Sequence, residues 1–360
     1  MENVLKSIIN QFEIQSEFES FQELNSGHIN DTFLIKTIQK PQYVLQKINN
    51  IVFKKAKKLI GNKIFVSNHL QQKLKYLPQK EIQQKVLCFV KAKDGTFFYE
   101  DANGNFWNAS IFIEESVTFL KAENTQIAFE AGKITGEFLE LTKDIDSAKI
   151  TTILEDFHSV TVRYHQFKKA LQHASEKKIN QSKELIHFIE EHIEEMQEID
   201  IAIQQNKLPL RVTHNDTKIS NILFSKENKA LCLIDTDTVM QGVLHFDYGD
   251  AIRTLCNTAD EDEINTTKIG FNFEFFKSYT EGFFQTCKSA TKQEINLLPI
   301  SIKVLPFIMG MRFLTDYLNN DSYFKTTYQK HNLDRATNQF VFVKKITQQF
   351  FKIKEFIQAQ

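Results

Sequence analysis

Asp216, Lys218 and Asn221 lie close together in the stretch Arg211-Val212-Thr213-His214-Asn215-Asp216-Thr217-Lys218-Ile219-Ser220-Asn221-Ile222. Asp235 follows at the end of the next apolar run, Leu231-Cys232-Leu233-Ile234. The group comprises a carboxylate, a cation and two oxygen ligands suited to a hard metal ion. A carboxylate at Asp216 can orient a hydroxyl and accept its proton. Lys218 can offset charge on a phosphoryl group. The Asn221 and Asp235 oxygens can hold magnesium, which keeps octahedral geometry with few protein ligands. Phosphoryl transfer from a magnesium nucleotide to an alcohol needs such a set.

The elements around these residues must place them. Residues 221–224 and 231–235 read as two strands, so the loop before them ends on a β-hairpin. Asp216 and Asn221 have the spacing of the protein-kinase catalytic loop, H-R-D-x-x-x-x-N, with the lysine two after the aspartate. His214 reads as a structural histidine bracing the loop. Asp247-Tyr248-Gly249-Asp250 reads as the start of a helix, with Asp250 in its N-cap, bracing the loop or pairing with Arg253. Asp237 is open between a role beside the metal ligands and solvent exposure. No Walker A motif, serine elbow or zinc-type histidine pair occurs.

Ahead of the loop the chain is β-rich. Residues 18–24, 32–38, 43–48, 86–91, 96–100 and 106–113 read as strands, and Asp94-Gly95 and Asn103-Gly104 as hairpin turns. Residues 25–31, with Gly27, form a strand–turn–strand that is either an ordinary hairpin or a cover for phosphates. Residues 52–76 read as a helix whose lysine-rich face, 54–63, is expected to be solvated, with an anion site as the alternative. Past residue 115 the character changes: residues 125–141, 159–174 and 176–204 read as helices, as does most of the chain from residue 274. The expected fold is α+β and two-lobed, a small antiparallel β lobe (1–115) followed by a large, mainly helical lobe (116–360).

The 360 residues carry a formal net charge of -1, which gives no global attraction to nucleic acid or anionic membrane. Cys88, Cys232, Cys256 and Cys287 are far apart, so neither a disulfide framework nor a zinc site is expected, and a reducing compartment fits. Residues 1–20 lack the apolar segment of a signal peptide. Residues 297–314 are the most apolar stretch but contain Lys303 and Arg312, and read as a buried helix. The expectation is a cytoplasmic monomer with no nucleic-acid or membrane partner. The 33 phenylalanines reflect a compositional bias toward Phe, Lys, Ile and Asn and do not read as a binding platform. Arginine is scarce, and Arg163, Arg211, Arg253, Arg312 and Arg335 are where a planar, bidentate donor could be needed.

These residues resemble the aminoglycoside-phosphotransferase-like family of small-molecule kinases, which has a protein-kinase-like fold. Within it the chain is similar to the N-acetylhexosamine 1-kinases. The matching stretches are Ser26 to Phe33, Tyr43-Val44-Leu45-Gln46, Arg211 to Leu223, Ile234 to Met240, Phe246 to Arg253, Gly310 to Leu318 and His331 to Arg335. The resemblance implies ATP- and Mg2+-dependent phosphorylation of the anomeric hydroxyl of N-acetylglucosamine or N-acetylgalactosamine. It implies Asp216 as base, Asn221 and Asp235 as magnesium ligands, and His28, Arg312 and Tyr323 as contacts to the sugar. The nucleotide would meet Gly27, Gln46 and, at the adenine, Phe112, Ile113 and Glu114. One departure stands out. The strand that usually presents a phosphate-binding lysine reads Val44-Leu45-Gln46-Lys47, and residues 52–76 contain no Glu or Asp, so the usual lysine–glutamate pair is missing and the group holding the α- and β-phosphates is open. Two other readings stand beside this one: a kinase of another hydroxylated metabolite (choline, homoserine, an amino sugar or an aminoglycoside), and a catalytically weak nucleotide-binding protein.

Overall fold

The computed structural model describes residues 1–24 and 29–360; Gly27 and His28 lie outside the described residues. The chain divides into two compact units. The first comprises Met1–Thr118, Leu141–Glu155 and Asn221–Gln241, the second Phe119–Glu140, Asp156–Ser220 and Gly242–Gln360. The division falls inside the loop, between Ser220 and Asn221.

The first unit is built on an antiparallel sheet. Strands β1 (Phe18–Glu23), β2 (Asp31–Thr37) and β3 (Tyr43–Lys47) pair in order, followed by Phe106–Ile111 and the short Phe89–Val90. Side chains alternate between the faces of a strand. Phe33, Ile35, Tyr43, Leu45, Trp107 and Ala109 therefore point one way and pack under helix α1 (Glu2–Ile9), which buries Leu5, Ile8 and Ile9. The opposite face is polar at its centre, where Gln46 of β3 is in register with Thr32 on one side and Asn108 on the other. Helix α2 (Ala56–Lys73) buries Leu59, Ile60, Asn62, Lys63, Val66 and Ser67. The first unit also holds the hairpin Ile222–Ser225 and Ala230–Leu233, with Ser116–Val117 added at its edge.

The second unit is mainly helical. Its central element is the helix Lys292–Leu318, started by a capping box of Thr291 and Glu294. Length and composition would allow this helix to cross a membrane, but 83% of its most apolar window is buried among neighbouring helices. Leu244–Leu255, Val160–His173 and His331–Gln348 pack on it. Elsewhere two glycines let backbones touch. A Cβ on Gly132 would lie 1.9 Å from the Tyr279 carbonyl oxygen, and one on Gly282 would lie 2.0 Å from that of Phe129.

The fold is α+β, with antiparallel sheets in the N-terminal region and a mainly helical C-terminal part. Several local expectations change. Residues 176–204 form three helices, Glu176–Gln181, Lys183–Met196 and Glu198–Gln204, with single residues, Ser182 and Gln197, between them. Only Tyr99–Glu100 of the expected strand 96–100 pairs, since Thr96 is held by Asp94 in a turn. The helix expected from Asp247 starts at Leu244, so Asp250 is an interior residue and not an N-cap. All four cysteines are free and buried.

Candidate active site

In the second unit, Arg211 opens the loop strand and is clamped from below. Its Nε donates to Glu294 Oε1 at 2.6 Å and its Nη2 to Oε2 at 2.8 Å. The same carboxylate closes the capping box by accepting from the Thr291 backbone. Beyond it the loop hangs on Asp247. Its carboxylate accepts the backbone N–H of Asn215 at 2.6 Å and of His214 at 2.9 Å, and its carbonyl accepts the Thr217 hydroxyl. Asn215 takes a left-handed conformation, φ 64°. Burial pushes the Asp247 carboxyl up to about 7, with the loop N–H groups working against the rise. His214 is buried with its ring edge-on to Phe138, as expected of a bracing residue rather than an exposed base.

This support presents Asp216 and Lys218, whose carboxylate and ammonium meet at 2.7 Å while both remain partly exposed. Asp250 pairs with Arg253 at 2.9 Å, and Arg253 reaches on to Glu261. Burial raises the Asp250 carboxyl, opposed chiefly by Arg253 and further raised by Asp216, which shows that these groups share one electrostatic neighbourhood.

Two arginines, Arg163 and Arg312, act together with Asp216 on the buried His158. The Arg312 guanidinium lies 5.6 Å from the Phe157 ring, 5.9 Å from that of Tyr323 and 5.4 Å from that of Phe324. Burial holds its pKa down, the Tyr323 phenol opposes this, and the charge of Arg253 adds to it. Arg163 is held down to about 10, first by burial and then by the charge of Arg312. His158 is held down to about 3 by burial, and both arginines reinforce that, so its ring is neutral near pH 7. The carboxylates expected in the region of residues 310–323 are spent internally. Asp316 accepts the Tyr323 and Phe324 backbone N–H groups and the Asn332 amide, and Asp321 accepts from Asn332. His158 and Arg163 carry no local sequence signal beyond the scarcity of arginine.

The first unit supplies the remaining residues. In the hairpin, Ile222 is in register with Leu233, and the Ile234 N–H donates to the Asn221 carbonyl at 2.9 Å. That register brings Asn221 beside the start of the turn on which Asp235 sits, in a left-handed conformation with φ 60°. Two residues on, Asp237 is buried, which settles the choice against solvent exposure. Its carboxylate accepts from Lys63 at 2.5 Å, from Gln46 at 3.2 Å and from Asn30. Lys63 also donates to Gln46 Oε1 at 2.7 Å. The expectation of a solvated lysine face therefore fails at its last member. Lys54, Lys55, Lys57 and Lys58 are exposed, but Lys63 is only 4% exposed. A signal was there, because Lys63 occupies the helical stripe of Leu59, Ile60 and Val66. Asn62 fixes the helix beside it, donating to the Thr151 and Val239 carbonyls.

Of the residues expected at an adenine, Ile113 is buried, its carbonyl accepting the Ser116 hydroxyl at 2.7 Å. The Phe112 N–H donates to the Gln42 carbonyl, and Glu114 pairs with Lys40. Among the described residues no cluster of three or more His, Cys, Asp or Glu could hold a metal ion. The hard oxygen pair of Asn221 and Asp235 fits magnesium, which needs few protein ligands, and does not fit zinc.

An antiparallel sheet unit and a helical unit, with a D-x-K-x-x-N loop and a following Asp, define a kinase-like fold. Residues 129–277 match the phosphotransferase enzyme family, APH, a segment that contains Asp216, Lys218, Asn221, Asp235, Asp247 and Asp250. The fold is shared with solved structures at low identity. A microcompartment-associated aminopropanol kinase is 13% identical, covering 98% of this chain and 98% of its own, with a TM-score of 0.63. An aminoglycoside phosphotransferase from Alicyclobacillus acidocaldarius is 10% identical, covering 98% and 96%, with a TM-score of 0.64. An amicoumacin kinase, solved with AMP-PNP and Ca2+, is 13% identical, covering 95% and 93%, with a TM-score of 0.61.

Proposed function

We propose that the protein is an ATP- and Mg2+-dependent kinase that converts an N-acetylhexosamine, GlcNAc or GalNAc, to its 1-phosphate. The phosphotransferase class rests on the matched family segment. The observation that supports the substrate is the pair of cations Arg163 and Arg312, whose charges act on His158 together with that of Asp216, while Asp316 is engaged by the Tyr323 and Phe324 N–H groups. Like charges disfavour an ammonium or polyamine substrate and leave a neutral, hydroxyl-rich one acceptable. The resemblance to N-acetylhexosamine 1-kinases at Gly310 to Leu318 and His331 to Arg335 supports the same choice.

In this reading Asp216 orients the anomeric hydroxyl and takes its proton as the oxygen bonds to the γ-phosphorus. The bond from that phosphorus to the bridging oxygen breaks, and ADP leaves with the electron pair. Lys218, freed from Asp216 as the proton arrives there, faces the transferring group. An anomeric hydroxyl is more acidic than an ordinary alcohol, so one positioned carboxylate is enough. Asn221 and Asp235 would hold magnesium, which would supply neutralisation of phosphate charge. Arg312 and Tyr323 orient the sugar.

The aminopropanol and aminoglycoside substrates named for the structural neighbours make an amine kinase the second reading. A panel of sugars, amino alcohols and aminoglycosides with Mg-ATP, read by ADP release, separates the two. Turnover of GlcNAc or GalNAc with none of the methyl glycoside is the expected result. Turnover of the methyl glycoside would exclude the 1-kinase, and turnover of amines alone would select the second reading.

A further inference from the structure

We propose that Lys63, from helix α2, is the cation that binds the α- and β-phosphates of the nucleotide, with Gln46 and Asp237 as its positioning residues; this rests on the kinase reading above. Kinases of this fold usually place that lysine on the third strand and a carboxylate on the helix that follows. Here the polarity is reversed. The strand supplies the neutral Gln46, the helix supplies the ammonium, and the anion comes from Asp237, two residues beyond Asp235.

Burying an ammonium costs several kcal/mol, and an apolar residue on the stripe of Leu59, Ile60 and Val66 would pack without that cost. A charge kept there calls for a use. Two of the three Lys63 N–H donors are filled, by Gln46 and Asp237; the third has no hydrogen-bond acceptor among the described residues, and the ammonium lies 5.5 Å from the Phe89 ring. The Asp237 carboxylate also accepts from the neutral amides of Gln46 and Asn30, which fix its place beside the ammonium. Asn30 in turn accepts the Asn49 N–H at 2.7 Å, which ties the residue just before β2 to the same carboxylate. The other lysines at the start of α2 are exposed, and Lys55 and Lys57 pair with Glu155 and Glu100 at the surface.

The test compares Mg-ADP with adenosine by titration calorimetry on the full chain. A phosphate-binding lysine acts on one ligand only, whereas a lysine that merely holds the fold acts on both. K63M is expected to weaken Mg-ADP by about 10- to 100-fold, the weight of a charged hydrogen bond, and adenosine by less than about twofold. An equal loss for both ligands, or no loss for Mg-ADP, overturns the proposal. Should K63M fail to fold, the double variant K63M/D237N removes the buried pair as a unit, and the same comparison decides. A wild-type chain that turns over sugar while K63M shows equal losses sinks only the role of Lys63. A wild-type chain that binds no Mg-ADP sinks the kinase reading, and this proposal with it.

Discussion

Asp216 and Lys218 meet across two positions of one loop, whereas Lys63 and Asp237 meet across 174 positions of chain. Both are lysine–aspartate pairs of similar length, at 2.7 and 2.5 Å, yet their surroundings differ. The loop pair is about a quarter exposed, with side-chain exposures of 29% and 24%, and water competes for both partners. The helix pair is 4% exposed on each side and is enclosed by amides from Asn30 and Gln46. A screened, local pair can open during a reaction at little cost. A buried, long-range pair cannot open without destabilising its unit. The difference suits the first to the motion that the proposed proton transfer requires and the second to fixed placement.

The largest expected effect bears on the loop. Asp216→Asn should lower turnover by roughly 10²- to 10⁴-fold, the weight of a positioned general base, with Mg-ADP affinity little changed. Near-normal turnover would remove Asp216 as the base and erase the contrast. The second prediction concerns stability. Asp237→Ala should cost about 3–5 kcal/mol in denaturant unfolding because it leaves a buried ammonium without its counter-charge. Asp216→Ala should change stability by no more than about 1 kcal/mol, since its pair is partly solvated. Equal costs would mean that burial does not distinguish the pairs.

A smaller effect is expected at the arginines. Arg312→Lys loses the planar fork and should raise the KM for sugar by about tenfold, the upper part of the range for one ordinary hydrogen bond, with the KM for ATP unmoved. Parallel changes in both constants would argue against a sugar contact.

The smallest effects concern pH and sharpen the account of the loop's support. His158 is neutral in the fold, with a pKa of about 3 against 6.5 when unfolded, so the unfolded chain binds more protons between those values and stability is lost as pH falls below 6.5. His245, at about 4, acts with the same sign. Asp247 acts oppositely: its pKa of about 7 against 3.8 makes the folded chain bind more protons, so its contribution is lost as pH rises through that window. Asp250, also raised by burial, acts in the same sense as Asp247. His158→Gln should flatten the acid side of the stability curve by up to about 1.4 kcal/mol per pH unit, and Asp247→Asn should steepen it. Calorimetric melting from pH 4.5 to 7.5 measures both, and unchanged slopes would show that neither group titrates as stated.

The same contrast explains what was readable beforehand. The loop's place was legible because Asp216, Lys218, Asn221 and Asp235 lie within one loop and hairpin, where spacing and strand alternation fix their local neighbourhood. The α+β order was legible from the shift between period-two and helical patterns near residue 115. The Lys63 cluster was not, because Asn30, Gln46, Lys63 and Asp237 come from four segments that only the folded sheet and helix α2 bring together. The inward stripe on α2 held a clue, but a lysine within a run of lysines reads as surface. Asp247 went unassigned for a related reason. Its role is to accept backbone N–H groups more than thirty positions away, and nothing in a D-Y-G-D sequence names those partners.

Glu294 joins two elements that would otherwise be separate in their dynamics. One carboxylate holds both the first turn of the helix Lys292–Leu318 and the Arg211 side chain at the head of the Asp216 loop. Releasing it frays the helix and unmoors the strand in a single event. In hydrogen exchange, the amides of residues 294–297 and 212–215 should therefore open together, as one cooperative patch, although more than seventy residues of chain separate them.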